Sequence, residues 1–391
     1  MKIKNIKIRD ILNSEGQKAI EIEMITDSKL KAIASSPSAI IPGRREVVVA
    51  NNIRESYLEE TINEICNKEI RNQIDFDNIL NNNIQNLGSN ISLPFSLAFA
   101  RLMSQAQNIS LIQYICNIAN CDYGIKSPIP LITIFSGGVH NNREKGSIQN
   151  IMIAVDIHPF SKAIKAITEI YSYIENELNK RNILKGYGSS SGMIVEEMTV
   201  DEKFTMIIDV IKTLEYEKEV TIAIDVAAEH LLKNGNYIYQ GKNIKSSELN
   251  EILNEYIEKY NITYIEDPFD SNDEEYWKKM KLKHKDINIM GDDLFATQDK
   301  YINCELANGI IIKMNQVGTL MGTIDAFNKA KKANMATCVS HRSIETEDTF
   351  MCDLAVAINA TYIKIGGPRR GDRIARYNRL LRLEEYEKEI N

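Results

Sequence analysis

The segment Ala19-Ile20-Glu21-Ile22-Glu23-Met24 alternates apolar and acidic side chains. A period of two is what a strand with one buried face requires, so a strand is expected here, with 30–35 as its partner. Further on, 53–72 and 93–107 carry apolar residues at the spacing of a helix buried along one side. Pro94 suits the first turn of the second of these, where a missing N–H costs little. The polar run Asn81-Asn82-Asn83 is expected to be a turn or a helix end. This N-terminal part reads as a mixed α+β unit.

Past Ser127-Pro128-Ile129-Pro130 the texture changes. Short apolar runs at 131–135, 151–155, 220–224, 263–265, 287–290, 310–312, 335–339 and 362–365 alternate with helical patterns nearly to the C-terminus. Residues 161–179 repeat apolar positions at i, i+3 and i+4, and Thr199-x-x-Glu202 has the form of a capping box. Alternating strands and helices predict parallel strands joined by crossover helices. About 260 residues for about eight such units is the size of a (β/α)8 barrel. A doubly wound open sheet is the runner-up, but no G-x-G-x-x-G follows the first strand of this region. The expected fold class is α/β: an α+β N-terminal capping domain at 1–126, then a barrel at 127–391.

Composition narrows the function classes. The 391 residues are 43% hydrophobic and 26% charged, which excludes collagenous and wholly disordered chains. The formal charge of −7 runs against the basic surplus that binding to phosphate backbones demands, so no nucleic-acid partner is expected. No run approaches the roughly 20 apolar residues of a membrane span. Met1-Lys2-Ile3-Lys4-Asn5-Ile6-Lys7 lacks the apolar stretch of a signal peptide. A cytoplasmic protein without a membrane partner is expected. The six cysteines form no C-x-x-C pair and no zinc spacing, so they read as small buried hydrophobes.

The strand ends carry the chemistry. Ile224 is followed by Asp225, Ile265 by Glu266, Gly291 by Asp292, Ile312 by Lys313, Ser340 by His341 and Ile363 by Lys364. In a barrel the C-terminal strand ends converge on one mouth, so these side chains are expected to face one another across a pocket. Asp225, Glu266 and Asp292 packed together would repel unless a cation sat between them, and an all-oxygen set suits Mg²⁺. Lys313 beside that cation, with burial favouring its neutral form, is a candidate base for a proton alpha to a carboxylate. The plainer alternative is that Lys313 merely neutralises the acidic cluster.

Asp225-Val226-Ala227-Ala228, Glu266-Asp267-Pro268-Phe269, Gly291-Asp292-Asp293-Leu294, Lys313-Met314-Asn315-Gln316-Val317-Gly318 and Ser340-His341-Arg342-Ser343 resemble the motifs of the enolase (phosphopyruvate hydratase) family. Leu87-Gly88-x-Asn90, Gly137-Gly138-Val139-His140, Ile363-Lys364-x-Gly366-x-Pro368 and Arg376-Tyr377-Asn378-Arg379 fit as well. The resemblance runs over essentially the whole chain. It implies a Mg²⁺-dependent lyase and a likeness of Asp225, Glu266 and Asp292 to the metal ligands. It likens Lys313 to the base that removes the C2 proton of 2-phosphoglycerate; a Lys base beside Mg²⁺ is the known pairing of that superfamily. Arg342 and Ser343 correspond to the phosphate binders, Lys364 to the residue at the substrate carboxylate, and His341 and His140 to pocket histidines. Gln149 fits the polar residue before the second barrel strand. A homodimer is implied by the same resemblance.

The departures are as informative. Where the family has Gly-Asp-Glu-Gly-Gly, this chain has Gly188-Ser189-Ser190-Ser191-Gly192, so Ser190 stands at the position of the leaving-group acid. A serine hydroxyl is no proton donor of carboxylic-acid strength. Asn150 replaces a second acid. The family's mobile Ser-Gly-Ala-Ser-Thr-Gly loop reads Ser35-Ser36-Pro37-Ser38-Ala39-Ile40, and its Asp-Ser-Arg-Gly-Asn-Pro reads Asn13-Ser14-Glu15-Gly16-Gln17-Lys18. Glu196 and Glu197 lie downstream of the serines and are expected to belong to the approach to the next helix. Proton abstraction, metal binding and phosphate recognition are kept, while the acid and the closing loop are changed. The expected function is enolase-type chemistry on 2-phosphoglycerate or a close phospho-carboxylate, weakened or redirected as in carboxyphosphonoenolpyruvate synthase. The alternative is a catalytically inactive paralogue with a binding or regulatory role.

Overall fold

The computed structural model of the chain describes residues 1–38, 43–50, 55–121, 127–138 and 147–390, with side chains to residue 385. The alternating segment is a strand. β1 (Ile3–Leu12), β2 (Lys18–Thr26) and β3 (Lys31–Ser35) form an antiparallel meander in which Ile22 and Met24 lie opposite Ala34 and Ala32 on the buried side. Four helices complete the N-terminal unit: α1 (Glu55–Asn67), α2 (Gln73–Leu87), α3 (Ser89–Ala106) and α4 (Leu111–Ala119). Phe76 of α2 stacks on Phe99 of α3 with ring centroids 4.1 Å apart.

Two local expectations fail here, for physical reasons. Asn81-Asn82-Asn83 lies inside α2, because Phe76, Leu80 and Leu87 bury one stripe and packing overrides the poor helix propensity of asparagine. Pro94 lies in the interior of α3 rather than its first turn. The helix begins earlier, directly after Gly88, whose φ of +72° reverses the chain between α2 and α3.

The barrel follows. Its strands and their insertions are β4 (Ile129–Ser136), β5 (Asn150–Val155), the hairpin β6 (Gly186–Tyr187) and β7 (Met193–Ile194), and β8 (Val220–Asp225). A small antiparallel sheet, β9 (Leu232–Lys233), β10 (Asn236–Tyr239) and β11 (Lys242–Ile244), comes next. Then come β12 (Ile262–Glu266), β13 (Asn288–Gly291), β14 (Gly309–Ile312), β15 (Ala336–Ser340) and β16 (Tyr362–Lys364). The outer helices are α5 (Phe160–Lys180), α6 (Val200–Thr213), α7 (Ser246–Tyr260), α8 (Glu274–Lys283), the short α9 (Met314–Val317), α10 (Leu320–Lys332), α11 (Phe350–Ala357) and α12 (Gly371–Ile390). The Thr199 capping box is present: Glu202 N donates to Thr199 Oγ1 at 3.2 Å, and Thr199 N donates to Glu202 Oε2 at 2.7 Å.

Eight strands close in the order β4, β5, β8, β12, β13, β14, β15, β16, with β16 pairing back onto β4. The expectation of uniformly parallel strands needs correction at one of them. β5 runs antiparallel to both β4 and β8. Two helices, α5 and α6, then intervene before β8. The barrel interior is filled by Leu131, Met152, Ala223, Tyr264, Met290, Ile311, Cys338 and Tyr362, so it is a packed core and the chemistry is confined to its mouth.

The N-terminal unit is docked on the barrel by buried polar contacts. Arg101 of α3 grips Asp348 with two N–H groups at 2.8 and 2.7 Å. Asp77 of α2 accepts Met321 N at 2.9 Å, and Ser96 Oγ accepts Leu320 N at 2.9 Å, so the N-terminal unit caps α10 of the barrel. All six cysteines are free. No helix among the described residues is long and apolar enough to cross a membrane.

Candidate active site

The strand ends meet where the sequence pattern places them. β8 ends at Asp225, β12 at Glu266 and β16 at Lys364, while Asp292, Lys313 and His341 directly follow β13, β14 and β15. Because β5 is reversed, its first residue rather than its last faces the same mouth: Asn150 pairs in register with Asp225. A cavity of about 70 Å³ opens there, lined by Gln149, Asp225, Asp292, Lys313, His341, Arg342, Ser343 and Lys364 among others. Glu266 is withdrawn from it, held by Lys364 Nζ and by the Tyr264 hydroxyl, which donates at 3.1 Å. His140 and Ile40 lie outside the described residues.

Two lysines pair with carboxylates at the mouth. Lys364 Nζ donates at 2.8 Å to both Asp225 Oδ2 and Glu266 Oε2. Asp225 Oδ2 also accepts Asn150 Nδ2 at 2.9 Å and Gln149 Nε2 at 3.1 Å. Burial works to raise the Asp225 carboxyl, but the Lys364 ammonium and these hydrogen bonds outweigh it and hold it at about 2. Glu266 goes the other way: burial, then the Asp225 charge, push it up to about 7. Lys313 is paired with Asp292, whose other oxygen accepts Gln316 Nε2 at 2.9 Å. Burial alone would favour a neutral Lys313 amine, as the sequence suggests, but the Asp292 carboxylate overrides it and raises the amine above its ordinary range.

Arg342 makes the least expected contact. Its NH1 and NH2 donate to Glu46 Oε1 and Oε2 at 2.9 and 3.0 Å, a bidentate pair with both side chains only 5% and 4% exposed. His341 is buried, its Nδ1 has no partner among the described residues, and burial followed by the Arg373 charge holds it well below the usual imidazole range. Such a ring is neutral at pH 7. Ser190 lines the cavity, and its carbonyl oxygen accepts Gly367 N at 2.9 Å. Glu196 and Glu197 are exposed, and Glu197 pairs with Lys185 at 2.6 Å, so neither replaces an acid in the pocket. Glu46, Gln316 and His230, whose Nδ1 lies 3.3 Å from Gln149 Oε1, are cavity or near-cavity groups that the sequence pattern did not single out.

Three carboxylates with no cation other than lysine between them form a donor set of the kind a hard divalent ion takes. Asp225 and Glu266 converge on one Lys364 nitrogen. Among the described residues, the carboxylates with ligand atoms within 4.8 Å of one another are Asp267, Asp292 and Asp293. Asp267 is engaged with the backbone, accepting Asp292 N at 2.9 Å and Asp293 N at 2.8 Å, and so fixes the turn that aims Asp292. The all-oxygen donor chemistry suits Mg²⁺, but among the described residues Asp225 and Glu266 are not part of that close set, so an ion held by Asp225, Glu266 and Asp292 would need their side chains to draw together.

A closed α/β barrel with acids and amines gathered at one mouth, and an α+β unit docked beside it, defines a barrel enzyme scaffold with a polar, cation-suited site. Comparison with known proteins makes this specific. Residues 125–390 match the model of "Enolase, C-terminal TIM barrel domain", and residues 3–115 match that of "Enolase, N-terminal domain". The chain is 32% identical over 408 residues to the enolase of Methanococcus vannielii, covering 98% of this chain and 95% of that protein. The chain belongs to the enolase family.

Proposed function

We propose that this chain is a divergent enolase-type lyase acting on 2-phosphoglycerate or a close phospho-carboxylate. The observation that carries the reading is the meeting of Lys313, Lys364, Asp225 and Asp292 around one cavity at the barrel mouth, with Glu266 held beside it by Lys364. Arg342 and Ser343 would seat the phosphate, and Lys364 with Gln149 the carboxylate end. Asp225, Glu266 and Asp292 would hold Mg²⁺, which supplies electrostatic stabilisation for negative charge building on the substrate carboxylate. Lys313 would take the C2 proton at Nζ; once Asp292 turns to a cation, Lys313 loses its counter-charge and burial favours the neutral amine. His341 stays neutral and positions the substrate, and His140 would stand in the same pocket. The division into 1–126 and 127–391, a homodimer and a cytoplasmic location belong to the same proposal.

Ser190 sets the limit of this activity. Departure of the substrate hydroxyl needs a proton, and loss of a general acid typically removes about 10²–10⁴ in rate. The carbanionic intermediate then either loses its hydroxyl slowly or meets another fate. A second reading, a non-catalytic binding protein, draws on the same missing acid and on the occupied Arg342 guanidinium. One experiment separates them: incubation with Mg²⁺ and 2-phosphoglycerate in D₂O, following the C2 proton by NMR and phosphoenolpyruvate by absorbance. C2 exchange that outpaces dehydration is the expected result. Rapid phosphoenolpyruvate formation would overturn the role given to Ser190, and silence in both channels would favour the binding protein.

A further inference from the structure

Residues 43–47 lie across the barrel mouth as a strap, anchored by consecutive residues on the loops that follow the strands. Arg44 Nε meets Glu229 at 2.8 Å, in the loop after β8, and its NH1 lies 3.6 Å from Asp270, after β12. Arg45 donates to the Leu294 carbonyl after β13 and places its guanidinium 4.7 Å from the Tyr301 ring centroid. Glu46 takes Arg342, after β15, and Val47 N donates to Gln316 O at 2.9 Å, after β14.

We propose that Glu46 is a built-in competitor for the anion seat at Arg342, and that release of the strap gates entry of the substrate phosphate. The inference rests on reading Arg342 as the phosphate binder and adds what occupies it in the absence of substrate. The Glu46 carboxylate takes two parallel N–H groups, the same fork a phosphate uses. Its Oε1 also accepts Gly43 N at 2.9 Å, so the strap backbone holds it in place. Two anions cannot share that fork in a buried site without strong repulsion. A phosphate seated on that same NH1–NH2 fork therefore requires Glu46 to leave, and its apparent affinity falls by the fraction of time the fork is open.

The anchors differ in strength, which gives the test its sign. Arg44 is 58% exposed, and its pairs hold the strap at a point away from Arg342. Inorganic phosphate titrated calorimetrically into the full-length chain, Glu46→Gln and Arg44→Gln reads the gate without any turnover. Glu46→Gln is expected to lower the phosphate Kd about tenfold or more, because the competitor is gone. Arg44→Gln is expected to lower it about two- to fivefold, because the pairs to Glu229 and Asp270 that hold the strap shut are lost. Bulk electrostatics predicts the opposite sign for Arg44→Gln, since removing a cation near the mouth weakens anion binding. Unchanged or weaker binding in either variant, or no phosphate binding by any of the three proteins, overturns the proposal. Tighter binding in both variants supports it even if C2 exchange is absent, which would sink the enolase-type reading alone.

Discussion

Asn150 Nδ2 donates to Asp225 Oδ2 at 2.9 Å, joining the first residue of β5 to the last residue of β8. Only antiparallel neighbours bring a first and a last residue together, so the reversal of β5 delivers the Gln149 and Asn150 amides to a mouth otherwise built from strand C-termini. Those neutral donors assist Lys364 in keeping Asp225 ionised, while Glu266, with one hydroxyl and a shared ammonium, holds its proton to about 7. Two carboxylates on adjacent strands are thus set far apart in acidity by their surroundings.

Lys364 is the counter-charge for both of those acids. Lys364→Met leaves two buried carboxylates without it and is expected to destabilise the metal-free protein by about 3–5 kcal/mol in urea unfolding. If Asp225 and Glu266 are Mg²⁺ ligands, added MgCl₂ should recover more stability in the variant than in the wild type. An equal gain in both proteins would place the ion elsewhere.

Ser190 lines the cavity without a carboxyl. Ser190→Glu is expected to raise phosphoenolpyruvate formation by about 10²-fold, the lower end of what a general acid contributes, while C2 exchange changes little. A rise in both rates together would mean that the variant improved binding rather than proton donation. No rise in either would mean that dehydration fails for a reason beyond the missing acid.

Several strand-end residues were legible because their strands are short apolar runs cut off by a charge, as in Ile312-Lys313 and Ile363-Lys364. The direction of β5 was not, since 151–155 reads as the same apolar run in either sense. Nor was Glu46 legible at Arg342: the two are 296 positions apart, and an acid after two arginines reads locally as a solvated loop. The spacing shows that Lys313 is buried among acids, not that Asp292 is the carboxylate it meets. Asn81-Asn82-Asn83 and Pro94 misled because local propensity yields to the Phe76–Phe99 packing and to the turn at Gly88.

Gly88 pairs φ +72° with ψ 160°, a region in essence reserved for glycine, and a Cβ there would lie 2.4 Å from Ala50 N. Asn90 brackets the same Ala50, accepting its N–H at 3.0 Å and donating to its carbonyl at 3.2 Å. Gly88→Ala is expected to cost about 2–4 kcal/mol from backbone strain and overlap together. Thermal unfolding checks it; a loss within about 0.5 kcal/mol would mean that the α2–α3 turn adapts freely.

Asp77 caps a barrel helix from the N-terminal unit and is fully enclosed, accepting Gln73 Nε2 at 2.9 Å, Ser96 Oγ at 2.7 Å and Met321 N at 2.9 Å. Burial raises its carboxyl to about 6, with the hydrogen bonds only partly opposing it. The folded chain keeps this proton up to about pH 6, whereas the unfolded chain releases it near 3.8. Between those values the native state binds more protons, so this group removes stability as pH rises through the window. The size is about 3 kcal/mol. Asp77→Asn does not titrate, and its polarity mismatch at Met321 N is a constant offset. Its stability relative to wild type should therefore improve by about that amount between pH 3.5 and pH 7.5 in urea unfolding. A pH-independent difference would show that Asp77 is ionised throughout and that its three donors, with the α10 N-terminus, outweigh its burial.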